Sequence, residues 1–168
     1  MYPTGHYGVA LLFAVPFVVL LGRKSGTVFT TFVLFVALLP DLDLHIPGVI
    51  HHGVTHTFLF GVVGGLVVGV MAVAVFLVYV ALTGPPRSSR LTTRRVFVWA
   101  TTGAFLGVAS HVVADVLVLL PGREPVSPFW PVLSRKIHIE ALPLGAPLRN
   151  LGLMAFGLTA HALVFYYE

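Results

Sequence analysis

Between Thr57 and Leu82 the chain carries no charged side chain, and this run constrains the fold more than any other feature. An apolar hydrocarbon layer about 30 Å thick is crossed by roughly 20 helical residues. Inside lipid each backbone N–H and C=O must be paired within its own segment, so the run is expected to be a transmembrane helix. Four further apolar runs read the same way: Tyr7 to Leu21, Thr27 to Pro40, Val96 to Leu120 and Leu151 to Tyr167. The second of them is short for a crossing and ends in Leu39-Pro40-Asp41-Leu42-Asp43, so it reads as a tilted or half-buried helix. Tyr7 to Leu21 lacks the basic leader and small-residue cleavage site of a secretory signal and is expected to stay attached.

Only 10% of the residues are charged and 57% are hydrophobic, against about 25% charged in a soluble domain. A soluble globule is excluded. The expected fold class is all-α, a polytopic membrane helical bundle of about five transmembrane helices, with residues 1–168 forming a single integral-membrane domain. Gly61, Gly65 and Gly69 recur every fourth residue, the small-residue stripe that lets membrane helices approach closely. The net charge of +4 sits mostly in short loops, so it reports membrane orientation, and no nucleic-acid partner is expected.

The absence of cysteine removes disulfides, thiolate metal sites and Cys nucleophiles together. What remains is imidazole and carboxylate. The three aspartates, Asp41, Asp43 and Asp115, each lie at or inside the end of an apolar run. Ionisable groups at membrane depth are costly and mark function by default. His6 opens the first run, His51, His52 and His56 precede the third, and His111 lies four residues before Asp115 in the fourth. In a five-span topology all of them gather at one membrane face.

His111 and Asp115 at i, i+4 share one helix face, which Gly103 and Gly107 continue, so that face should point at other helices. His52 and His56 would share a face too if the third helix began that early. Such a donor set suits a divalent metal ion, Zn²⁺ first, with Mn²⁺ or Fe²⁺ as alternatives. Donors beyond those that bind the ion can act as general acid, general base or orienting partners. His161 reads as an interhelical hydrogen-bond partner, His45 and His138 as solvated loop residues, and Phe129 and Trp130 as interfacial aromatics. A Ser-His-Asp hydrolase fits poorly, because Ser110 points about 100° away from His111 on a helix.

Taken in order, Thr4-Gly5-His6, Leu38-Leu39-Pro40-Asp41-Leu42-Asp43, His51-His52-Gly53-Val54-Thr55-His56-Thr57, Ser110-His111-Val112-Val113-Ala114-Asp115 and Pro125-Val126-Ser127-Pro128-Phe129-Trp130-Pro131 resemble the YdjM-like family of membrane-bound metal-dependent hydrolases. The resemblance covers nearly the whole chain. It implies a small multi-pass protein whose metal-site residues match His6, Asp41, Asp43, His51, His56, His111 and Asp115. The chain departs from the family pattern at His52, where an Arg is usual, at Thr57, where Ser is common, and at Val118, where a Thr often stands. Imidazole at position 52 replaces a permanent cation, which removes bidentate anion recognition there.

The leading expectation is a metal-dependent hydrolase acting at the outer membrane face on a lipid-linked or membrane-proximal ester or phosphoester. Its metal would be held by His6, Asp43, His51, His56, His111 and Asp115, with Asp41 as general base and His51 or His52 assisting the leaving group. Membrane lipids and a membrane-associated substrate are the expected partners. A divalent-metal or proton transporter is the alternative, and a membrane protein stapled by a non-catalytic metal the third reading. The charge pattern orients the chain. Arg23, Lys24, Arg87, Arg90, Arg94 and Arg95 share one side, against Arg123, Arg135, Lys136 and Arg149, which Glu124 and Glu140 dilute. By the positive-inside rule the N-terminus is outside and the C-terminus cytoplasmic. Reporter fusions at the two termini check this, and a cytoplasmic N-terminus would overturn the charge argument or the five-span count.

Overall fold

The computed structural model of the chain describes residues 1–86, 91–117, 124–139 and 146–167. Among these residues the fold is all-helical. Five α-helices follow one another: α1 (Pro3–Leu21), α2 (Arg23–Val36), α3 (Phe58–Thr83), α4 (Thr93–Leu117) and α5 (Ala146–Tyr167). Two short 3₁₀ turns, Pro40–His45 and Val54–His56, lie between α2 and α3. All five helical segments are long and apolar enough to cross a membrane, α2 reaching that length together with its following turn as Arg23–His45, 23 residues. The doubt about a short second run is thereby resolved in favour of crossing length. Several ends also differ from the apolar runs: α1 begins at Pro3, α4 at Thr93 and α5 at Ala146. Helices extend past their hydrophobic stretch where flanking residues still pair their backbone, and hydropathy alone does not mark that point. Arg87, Arg90, Val118, Arg123 and Glu140 lie outside the described residues.

Two helix pairs make the framework, α3 against α4 and α1 against α5, and they are joined by α2, which packs on both α1 and α4. The turn from α1 to α2 is a single residue, Gly22, at φ 75°, a left-handed conformation that costs a side-chain-bearing residue about 1–2 kcal/mol. The small-residue stripe of α3 faces α4 as expected: a Cβ at Gly65 would lie 2.9 Å from the Thr101 carbonyl oxygen. On the other side of α4, a Cβ at Gly107 would come within 2.6 Å of Val36 Cβ on α2. Glycines of α3 on one side of α4, and Gly107 of α4 itself on the other, thus let two helices approach it. Buried Val36, Ala104, Val108 and Val112 fill the space beside these contacts, and Ala10, Ala14, Phe29, Val33 and Ala37 join α1 to α2. His161 reaches across from α5 to the Leu11 carbonyl of α1, 3.0 Å away, the interhelical role expected of it.

The rest of α3 is bare. Val62, Val63, Val70, Val75, Leu77 and Val78 are all exposed, as suits a helix that touches one partner and otherwise faces acyl chains. The chain is a multi-pass membrane protein.

Gly107→Leu is expected to lower stability in detergent micelles by about 1–3 kcal/mol, the usual cost of overpacking a filled interface. Gly64→Leu, with nothing within 4 Å of its Cβ position, should leave the unfolding midpoint unchanged or raise it, since Gly is a poor helix former. Thermal unfolding of the two variants side by side reads the difference.

Candidate metal centre

At one end of the bundle four elements bring their polar residues together. The first turns of α1 carry His6, the turn after α2 carries Asp41 and Asp43, the segment before α3 carries His51, His52 and His56, and the last turns of α4 carry His111 and Asp115. Pro40 at the start of its 3₁₀ turn fixes φ and removes an N–H that helix would otherwise use. The chain therefore leaves α2 and coils tightly through Asp41 and Asp43. Two residues apart in such a turn, the two carboxylates point in different directions.

The Asp41 carboxylate faces inward. Its Oδ1 lies 3.4 Å from His56 Nε2 and 3.5 Å from His111 Nε2, and its Oδ2 lies 3.8 Å from His6 Nε2. Asp115 closes the opposite side, with Oδ2 3.2 Å from His111 Nε2 and 3.7 Å from His56 Nε2, and Oδ1 3.6 Å from His6 Nε2. The rings of His6 and His111 stack in parallel with centroids 3.9 Å apart. His6, His56 and His111 are fully buried, Asp115 nearly so, and the Asp41 side chain is 25% exposed, which makes it the open side of the cluster.

All but the 3.2 Å approach of His111 to Asp115 exceed good hydrogen bonds, and His6 Nε2, His56 Nε2, His111 Nε2 and Asp115 Oδ2 have no hydrogen-bond partner among the described residues. A buried polar atom left so costs about 1–3 kcal/mol. Around an ion with bonds near 2.1 Å, tetrahedral donors would stand about 3.4 Å from one another. The observed 3.2–3.8 Å spacings bracket that value. The triads His6–His111–Asp115 and Asp41–His56–His111 each offer donor atoms within 4.8 Å of one another. Three imidazole nitrogens and two carboxylates thus fit a divalent ion of the zinc, manganese or iron type.

In His56 and His111 the opposite ring nitrogen is held as such a role demands, while His6 Nδ1 has no partner among the described residues. His111 Nδ1 donates to the Ala37 carbonyl at 2.7 Å, which leaves Nε2 as the lone-pair atom facing the cluster. His56 Nδ1 lies 2.9 Å from Thr55 Oγ1 and 3.2 Å from Asp43 Oδ2, while the Thr55 hydroxyl donates to the same carboxylate oxygen at 2.6 Å. Asp43 therefore stands behind His56, in the carboxylate–histidine arrangement that orients metal ligands. Its other oxygen accepts from His51 Nδ1 at 2.8 Å. Asp115 Oδ1 takes the amino nitrogen of Met1 at 2.6 Å, leaving Oδ2 as the free oxygen.

His52 is placed by a different device. Its φ of 63° is left-handed, and its Nδ1 donates to the Glu124 carbonyl across the site, with Nε2 3.8 Å from Asp115 Oδ2. Burial pushes this imidazole below its usual pKa, partly countered by the carbonyl it donates to and by Asp115. His52 and His56 do not share a helix face, because α3 starts only at Phe58 and the 51–57 segment turns through Gly53. They approach anyway, with ring centroids 4.9 Å apart. All eight residues singled out in the sequence meet here; His45 and His138 are exposed and apart from the cluster, as expected of loop histidines. Thr55 carried no signal beyond its place beside His56, and the Ala37 and Glu124 contacts come from backbone atoms that side-chain patterns do not reveal.

Helices crossing a membrane around a buried His/Asp cluster that could hold a metal ion define a class of multi-pass membrane protein with a metal-type centre. The chain belongs to the YdjM inner membrane protein family, whose family model matches residues 1–167. No curated protein and no solved structure matches the chain.

Metal analysis of detergent-purified protein checks the centre. His111→Ala and Asp115→Asn are expected to lose bound metal outright, whereas Asp43→Asn, acting through His56, should weaken binding about 10- to 100-fold.

Proposed function

We propose that this chain is a membrane-embedded metal-dependent hydrolase acting on an ester or phosphoester at the outer face of the membrane. The observation that carries the reading is the convergence of three buried imidazole Nε2 atoms and Asp115 Oδ2, none with a hydrogen-bond partner among the described residues, with the Asp41 carboxylate on the open side. A divalent ion bound there would supply a Lewis acid and lower the pKa of water.

His6, Asp41, His56, His111 and Asp115 would hold the ion. This moves Asp41 from general base to ligand, because both of its oxygens face the imidazole nitrogens, and moves Asp43 from ligand to orienting partner. Proton handling then falls to His51. Its Nδ1 is fixed on Asp43, so its Nε2 is the basic atom, and its side chain is 20% exposed at the open side of the cluster. His51 can take a proton from water on arrival and return it to a leaving oxygen, with Asp43 stabilising the charged ring. His52, held to the Glu124 carbonyl with Nε2 turned toward Asp115, borders the same space and would position the substrate.

The cluster's place at one end of the bundle favours a hydrolase over a transporter, whose site lies near the bilayer midplane with access from both sides. A centre closed on one side by the apolar bundle and open at Asp41 and His51 suits a reactant arriving from the membrane surface.

Purified protein loaded with Zn²⁺ or Mn²⁺ is tested against chromogenic carboxylic esters and phosphate mono- and diesters. Turnover of one class is expected, falling about 10²- to 10⁴-fold in His51→Ala with metal content unchanged. Full metal occupancy with no turnover across the classes would favour the stapled, non-catalytic reading. Full turnover in His51→Ala would remove it as the proton carrier.

A further inference from the structure

At the end of the bundle away from the His/Asp cluster, α2 and α3 both lie on α4 but diverge from one another. The space between them is an open groove of about 1490 Å³. Its walls are apolar and aromatic: Phe17 of α1, Phe29 and Phe32 of α2, Val68 and Ala72 of α3, and Trp99 of α4. Phe29 and Phe32 both pack on Trp99, with ring centroids 5.2 and 5.3 Å apart, so this wall is built and not a loose gap. Arg94 and Arg95, both exposed, line the same groove at its outer end beside Thr92.

A largely apolar open slot in a membrane helix bundle will be filled by hydrocarbon, since water along most of its length would face aromatic and aliphatic walls. The two guanidiniums at its end add a sign. Arginine presents a planar fork that matches phosphate oxygens bidentately, and basic pockets between transmembrane helices are suited to anionic head groups. We propose that this groove is a binding site for an anionic phospholipid of the leaflet opposite the metal centre, with one acyl chain against Trp99 and the phosphate at Arg94 and Arg95. The site is separate from the His/Asp centre and does not depend on what that centre does.

Trp99 provides the measurement, because the chain has two tryptophans and Trp130→Phe leaves Trp99 as the sole emitter. The full chain carrying that change is reconstituted in phosphatidylcholine vesicles with a rising fraction of phosphatidylglycerol whose acyl chains are brominated. Brominated phosphatidylcholine in the same host is the control. The anionic lipid is expected to quench Trp99 saturably and at a mole fraction well below that of the control, by about fivefold for each arginine. Arg94→Gln with Arg95→Gln should abolish the difference while the thermal unfolding midpoint of the protein stays unchanged, which shows that the bundle is intact. Arg23→Gln with Lys24→Gln, a matched loss of charge outside the groove, should leave the preference in place. Equal quenching by the two lipids would overturn the proposal. So would an equal loss of preference in both double variants, since that is the mark of surface charge and not of a site.

Discussion

The structure depends on one constraint: carboxylates and imidazoles carried into the apolar end of a bundle must satisfy one another or something held between them. Asp115 and His111 sit in the last turns of a transmembrane helix, where an unpaired charge would be expensive. They remain because His6, Asp41 and His56 are delivered to the same point by three other elements. The rest of the fold serves that delivery. Gly103 and Gly107 of α4 let α2 close on it, and Gly61, Gly65 and Gly69 of α3 let α3 do the same, which brings the turns at their ends, and with them Asp41 and His56, over the end of α4.

The outer contacts of the cluster show how few degrees of freedom are left to it. The Ala37 carbonyl, the end of α2, fixes the tautomer of His111 on α4. Asp43 and Thr55 fix His56, and Glu124 fixes His52 through a left-handed backbone that needs such an anchor. The rings of His52, His56 and His111 are thus each oriented by a partner from a different stretch of chain, the arrangement by which protein sites tune metal ligands and hold them in register.

Much of this was legible in the sequence, for reasons that differ from residue to residue. The spans follow from hydrocarbon thickness, and the shared face of His111 and Asp115 follows from helix geometry alone. Membership of the cluster followed from topology, since alternate crossings place His6, Asp41, His56 and Asp115 at one membrane face. The division of labour we propose between Asp41 and Asp43 was not legible. It depends on the coiling of a six-residue 3₁₀ turn after Pro40, where a change of some tens of degrees in one dihedral exchanges the two carboxylates. The relation of His52 to His56 was left open for a similar cause: spacing of four implies a shared face only inside a helix, and α3 begins at Phe58, beyond both residues.

The way the donors are distributed bears on how the molecule comes into being. No single element owns the centre: α1, the turn after α2, the turn before α3 and the end of α4 each give one or two groups, and α5 gives none, bracing α1 from behind. Early in assembly, when only α1 and α2 have been threaded into the bilayer, His6 and Asp41 alone make a poor ligand. High affinity for an ion would arise only once α4 has docked. An ion that binds the completed set therefore adds its binding free energy to the closed bundle and none to its precursors. Capture of the ion would then be the last event of maturation, a lock turned after the helices have met.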